Sequence, residues 1–157
     1  MTEQVYLARS ASDGRKAQPY RNHVEGVMGR VAQYVNDIKR YASDRAGQWM
    51  DARSVHQAAT YHDLGKLDEE NQQVLRTSSS RRLLYDHRDA GAALLGQTDE
   101  TGALLVYSHH YPGLPNMEDI RGQERDKRLR NGDVRARTDQ LLPQYIEIHD
   151  RELGHSS

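Results

Sequence analysis

ARSVHQAATYHDLGK, residues 52–66, sets Val55, Ala58, Ala59 and His62 three or four positions apart and then closes on His62-Asp63-Leu64-Gly65-Lys66. That spacing is one face of a helix running from about Ala52 to Leu64. His62 then points inward, and Asp63 lies about 100° round the helix from it. Gly65 reads as the helix terminator, with Lys66 following where the backbone turns. An adjacent imidazole and carboxylate can serve one metal site, so the stretch raises a question of metal chemistry together with one of fold.

Helical periodicity extends outward from this segment. Val24, Val27, Met28, Val31, Tyr34, Val35, Ile38 and Tyr41 recur at three- and four-residue steps, the stripe of a long amphipathic helix that starts after Pro19, with His23 one position before the stripe. Downstream, shorter helices are expected from Asp68 to Leu75, from Asp86 or His87 to Leu95, and from Thr101 to His110. Gly96 ends one, and the run Tyr111-Pro112-Gly113-Leu114-Pro115 ends the next, which puts His109 and His110 in a last helical turn. Thr77 to Arg82 is loop by composition. A final helical region from Asp133 to Leu153 contains Pro143, which should kink or restart it. Gln4 to Arg9 is the one candidate for a short extended strand. The fold class is therefore all-α, a helical bundle with a metal site between helices.

Composition narrows the class further. The 157 residues make one domain, 36% apolar and 29% charged with no Phe, so the core must be small and built from Leu, Val, Ala, Ile and Tyr. No apolar run approaches the roughly 18 residues of a membrane span and no signal peptide is legible, which points to the cytoplasm. A net charge of -1 excludes a chain that binds nucleic acid by overall charge. Charge does gather locally: between Asp119 and Arg137 seven basic residues face four acidic ones. That segment reads either as a solvated surface or as a strip contacting phosphates beside the site.

With no cysteine, a transition-metal site must use nitrogen and oxygen ligands. The candidates beside His62 and Asp63 are His23, His87, His109 and His110; His56, His149 and His155 complete the histidine supply. Each has an ordinary structural alternative. His23 could bond a backbone carbonyl at a helix start, and His87 could follow Asp86 acting as an N-cap. Adjacent histidines on a helix face different sides, so one of His109 and His110 would be structural.

Taken in order, His23, then His62-Asp63-x-Gly65-Lys66, then Asp86-His87-x-x-x-Gly91, then His109-His110-x-x-Gly113-Leu114-Pro115, the chain resembles the HD superfamily. Within it, the pattern is similar to the HD nuclease domain of the CRISPR-associated type I interference nuclease-helicase. The resemblance covers most of residues 6–116 and includes Ala8-Arg9-Ser10, Asp13-Gly14-Arg15 and Gln18-Pro19. It implies a single HD nuclease domain over 1–157, its C-terminal part cut short, that cleaves single-stranded DNA using one or two divalent ions: manganese, nickel, cobalt, iron, zinc or magnesium. It further implies that His23, His62 and Asp63 hold one ion, with Asp63 bridging, and that His87, His109 and His110 hold the second. Asp63, His62 and Lys66 would be catalytic, Lys66 by meeting the scissile phosphate. The family's further acidic ligand has only Asp139 and Asp150 as candidates here. No Gly-x-x-x-x-Gly-Lys-Ser/Thr is present, so the implied helicase and RNA-guided surveillance complex are partners. An HD-type nucleotide or cyclic-nucleotide phosphohydrolase, and a non-catalytic docking module that keeps the motif, are the alternatives.

Overall fold

A computed structural model describes residues 4–12, 14–41, 51–77, 82–110 and 132–154. These are mostly helical: α1 (Tyr20–Tyr41), α2 (Ala52–Tyr61), α3 (Glu69–Thr77), α4 (Arg88–Leu95), α5 (Glu100–Ser108) and α6 (Gly132–Leu153), with a 3-10 turn at Leu64–Leu67. No helix among the described residues is long and apolar enough to cross a membrane. The expected N-terminal strand is present as β1 (Leu7–Arg9), paired antiparallel with β2 (Gln18–Pro19) in the register Leu7 to Pro19 and Arg9 to Gln18. Proline has no N–H to give a ladder, and the sheet stops there as α1 begins.

Helices α2, α4 and α5 pack on one another, α1 lies along α2, and α6 closes over α4 and the 3-10 turn. Two apolar clusters result. Tyr6, Tyr20, Val24, Leu64, Leu67, Leu142, Tyr145 and Ile148 join the sheet, α1, the turn and α6, whereas Ala58, Ala92, Leu95, Val106 and Tyr107 join α2, α4 and α5. The second cluster is rich in alanine because the backbones come close. At Gly91 an added Cβ would collide with the carbonyl of Tyr61, so α4 can seat on the end of α2 only with glycine there.

Three expectations need correction. The α1 stripe is only partly core: Tyr20, Val24 and Val35 are buried, but Tyr34 and Tyr41 are 67% and 76% exposed and Ile38 is exposed too. In the C-terminal half of α1 only Val35 is buried, and Tyr34, Ile38 and Tyr41 are left uncovered by the described residues. Helix α6 runs through Pro143 as one element rather than restarting, with Leu142 and Tyr145 buried on either side. Packing there offsets the hydrogen bond that proline cannot donate. Gly65 does not end α2 in a left-handed cap; α2 stops at Tyr61, and Gly65 lies inside the 3-10 turn. The loop-to-helix boundaries of Asp68–Leu75 and His87–Leu95 fall within a residue or two of α3 and α4. Residues 111–131 lie outside the described residues, and with them the Gly113-Leu114-Pro115 run and five of the seven basic positions.

The other two basic positions are engaged in pairs. Arg135 faces Asp139 at 3.7 Å, and Arg137 binds Asp68 at 2.8 Å and Glu70 at 3.0 Å while lying over the Tyr85 ring. Asp68 is buried and accepts from Tyr145 as well, at 2.6 Å, so α6 is tied to the residue that follows the 3-10 turn. Burial raises the Asp68 pKa, but the hydrogen bonds from Arg137 and Tyr145 outweigh it and hold the carboxyl below its ordinary value. The unfolded chain then binds more protons in acid. The stabilisation is full above the unfolded carboxyl pKa of about 4 and is lost as pH falls through the lower folded value. Asp68→Asn should therefore cost about 1–3 kcal/mol in urea unfolding at pH 7, and its deficit against the wild type should shrink as the pH is taken below about 4.

Candidate metal centre

Helix α2 begins on Asp51, whose side chain accepts from the backbone N–H groups of Arg53 and Ser54, and it ends at Tyr61 with His62 as its C-cap. Beyond it Asp63 leads into the 3-10 turn, where Lys66 N–H donates to the Asp63 carbonyl at 2.9 Å. Neighbours on a continuous helix diverge by about 100°, but α2 stops at Tyr61 and Asp63 leaves helical geometry at φ -110° and ψ 13°. The change of winding between them lets both point into the same space.

This turn is clamped by side-chain amides of α3. Gln72 donates to the carbonyls of Lys66 at 2.7 Å and Leu7 at 2.8 Å and accepts from Leu7 N–H, while Asn71 donates to the carbonyls of Gly65 at 3.0 Å and Tyr85 at 3.1 Å and accepts from Tyr85 N–H. Both residues are fully buried. They fix the Asp63–Lys66 turn to β1 on one side and to the approach of His87 on the other. The sequence reading missed them, since an Asn-Gln pair in a polar helix looks solvated; their one signal was adjacency to Val74 and Leu75 on a helix just eight or nine residues long.

Gly65 makes the third clamp. Its N–H donates to the His87 carbonyl at 3.1 Å, and a Cβ at this position would lie 2.7 Å from that oxygen and 2.8 Å from the His87 Cα. Asp86 accepts from Arg88 N–H at 3.0 Å and from the Arg88 guanidinium, but the N-cap position expected of Asp86 is held by His87, which makes no side-chain cap bond and faces the turn. His109 is the C-cap of α5 and His110 follows it. As with His62 and Asp63, adjacent residues converge because the helix has ended. The expectation that one of the two histidines is merely structural does not hold geometrically.

The result is a carboxylate surrounded by imidazoles. Asp63 is 0% exposed. Its Oδ2 lies 2.7 Å from Lys66 Nζ, 3.0 Å from His23 Nε2 and 3.4 Å from His62 Nε2. Its Oδ1 lies 3.4 Å from His87 Nε2 and 3.7 Å from His109 Nε2, and it accepts no hydrogen bond among the described residues. His110 Nε2 sits 3.0 Å from His87 Nε2, and His23 Nε2 sits 3.1 Å from His62 Nε2. All six ligand residues suggested by the sequence are thus together, in two groups that share Asp63: His23, His62, Asp63 and Asp63, His87, His109, His110. Asp139 and Asp150 belong to neither group, so no further carboxylate joins the site among the described residues. His56 and His149 are also outside it; His149 is buried, bonded to the Tyr20 hydroxyl at 2.9 Å and packed against Tyr61.

The donor set fits a divalent ion. Ligand atoms about 2.0–2.2 Å from a tetrahedral ion are roughly 3.3–3.6 Å from one another, and the separations above bracket that range. His62 Nδ1 meets the Ala59 carbonyl at 2.8 Å and His109 Nδ1 meets the Val106 carbonyl at 2.5 Å. A carbonyl only accepts, so each Nδ1 carries the proton, and in the neutral ring Nε2 presents its lone pair to the centre. Burial, reinforced by Lys66 and the adjacent histidines and opposed by Asp63, pushes His87 down to about 3. Burial and His109 push His110 down as well. Both are neutral at pH 7, the form that binds metals. Burial raises the Asp63 pKa, yet the hydrogen bond from His23 and the charge of Lys66, whose Nζ lies 2.7 Å from Oδ2, hold it well below the ordinary carboxylate value.

Gly65→Ala should push the His87 backbone off the turn, lowering divalent-ion affinity by about 10-fold or more in calorimetric titration with Mn²⁺. Gly26→Ala, at a helical position where an added Cβ meets nothing, is the matched control and should bind as the wild type does. Comparison with known proteins places no relative beside this site, since no family model, curated protein or solved structure matches the chain.

Proposed function

We propose that this chain is a metal-dependent phosphodiester hydrolase of the HD type that cuts single-stranded DNA, serving CRISPR type I interference with a separate helicase and an RNA-guided surveillance complex. The observation that carries the metal-dependent part is Asp63: a buried carboxylate with one oxygen that accepts no hydrogen bond and faces imidazole nitrogens on that side. The order and spacing of the ligand residues along the chain carry the choice of HD nuclease over other metal hydrolases.

Asp63, His87, His109 and His110 would hold a divalent ion, and His23 and His62 flank the other carboxylate oxygen. Such an ion, when bound, supplies Lewis acidity toward a phosphoryl oxygen and lowers the pKa of a coordinated water. The chain's own residues do the rest. Carbonyls of Ala59 and Val106 lock two imidazoles in one tautomer, so those rings need no reorientation when a substrate arrives. Lys66 places a cation against Asp63 and has two further N–H donors beyond the one given to Oδ2, suited to the negative charge that builds on a phosphate during hydrolysis. His109 and His110 stand on the exposed side of the centre, where an extended strand can approach, whereas Asp63 and His62 form its buried floor.

The test is cleavage of labelled single-stranded DNA across Mn²⁺, Ni²⁺, Co²⁺, Fe²⁺, Zn²⁺ and Mg²⁺, with Asp63→Ala beside the wild type. Wild-type protein should cut with at least one of these ions, and Asp63→Ala should lose at least about 100-fold, beyond the 10- to 100-fold typical of removing a group behind the ligands. Hydrolysis of nucleotides or cyclic nucleotides with DNA left intact would move the assignment to a small-molecule phosphohydrolase. Binding no metal and cutting nothing would leave a docking module.

A further inference from the structure

The two oxygens of Asp63 are not equivalent, and their difference bears on how many ions the centre takes. We propose that the chain holds one divalent ion tightly, at Asp63 Oδ1 with His87, His109 and His110, and that Lys66 with His23 occupies the place of a second cation at Oδ2. The inference rests on reading the cluster as a metal centre.

On the Oδ2 side the hydrogen bonding closes without an ion. Lys66 donates to Oδ2 at 2.7 Å, and a single N–H on His23 Nε2 can serve Oδ2 at 3.0 Å and the His62 Nε2 lone pair at 3.1 Å. Oδ2 thus meets two donors, and the His62 Nε2 lone pair 3.4 Å from it shares the hydrogen of His23. On the Oδ1 side the opposite holds. His109 Nδ1 is committed to the Val106 carbonyl, so its Nε2 lone pair faces Oδ1 across 3.7 Å with no hydrogen between them, and Oδ1 accepts nothing from any described residue. Two acceptors turned toward each other in a buried site repel unless a cation lies between them.

Charge favours the same division. Asp63 is the one carboxylate in either group among the described residues. An ion bound at Oδ2 about 2.1 Å away would sit no more than about 4.8 Å from the Lys66 ammonium, which is 2.7 Å from that oxygen, in a site with little solvent to screen it. A second ion must therefore displace Lys66 from Oδ2 and strip the proton from His23 Nε2. A single ion on the Oδ1 side disturbs neither.

The experiment is metal counting on the intact chain by calorimetry with Mn²⁺ and by elemental analysis after dialysis, on wild type, Lys66→Met, His23→Ala and His110→Ala. Wild type should retain one ion per chain, with any second at least about 100-fold weaker. Lys66→Met should strengthen the second by about 10-fold or more, His110→Ala should weaken the first by more than about 100-fold as the loss of a ligand, and His23→Ala, which removes a group behind the Asp63 ligand, should weaken the first by about 10-fold. Two ions of similar affinity in the wild type overturn the inference and leave the metal centre standing. So does a His23→Ala loss equal to that of His110→Ala, which remains decisive if Lys66→Met fails to fold. No ion bound by the wild type removes the metal centre itself.

Discussion

The rest of the structure depends on keeping the Asp63 carboxylate charged while it is fully buried. Removing an ionised carboxylate from water costs several kcal/mol even after the protein relaxes, and an unpaired one would simply take up a proton. Here one oxygen meets an ammonium at 2.7 Å and an imidazole nitrogen at 3.0 Å, and the other faces two more imidazoles. A site this costly is not needed to hold six helices together, since apolar residues of like volume would do so at less expense. Its position at the junction of α2, α4, α5 and the start of α1 shows what the packing is arranged around.

That arrangement explains the number of buried polar groups away from the centre. Asp68, Asn71 and Gln72 are all essentially inaccessible; Asn71 and Gln72 bond the turn that carries Asp63, the chain that delivers His87 and β1, while Asp68 accepts from the first N–H groups of α3 and from α6. Left as free backbone, the carbonyls of Gly65 and Lys66 would need water, and water there would loosen the turn. Side-chain amides satisfy them with fixed geometry. Asp68 then passes the constraint to α6 through Arg137 and Tyr145, so the last helix braces the site without contributing a ligand among the described residues.

How far the sequence could be read follows from the same physics. Helix positions were legible because α2, α4 and α5 each bury a short apolar face whose period survives in the sequence, and the ligands were legible because five histidines with one Asp-bearing motif are few enough to group. Directions were not. His62 and Asp63, like His109 and His110, look divergent on any helical wheel, and they converge because the helix stops between or before them, which depends on backbone packing at Gly65 and Gly91 that periodicity does not reveal. The buried role of Asn71 and Gln72 was hidden because an amide that bonds backbone leaves the same trace in a sequence as one that bonds water. Along α1 the period was clear but misleading: it marks an apolar face, and Tyr34, Ile38 and Tyr41 are not covered by the described residues.

The spacing His62-Asp63-x-Gly65-Lys66 takes a specific meaning from the 3-10 turn. With three residues per turn, positions i and i+3 eclipse, so Lys66 lies directly along the axis from Asp63, and the 2.7 Å bond between them is the natural outcome of that winding. An α-helix would rotate the two apart by a further 60° relative to that alignment. Gly65, between them, allows the turn to press against the His87 backbone, which brings the imidazole to the opposite oxygen. One five-residue stretch thus supplies the carboxylate, neutralises one of its oxygens from within the same turn, and directs the other toward imidazoles from distant parts of the chain. The Lys66 contact that sets Oδ2 apart is therefore built in at the level of local backbone winding, and long-range packing of His23, His87 and His109 completes the difference between the two oxygens.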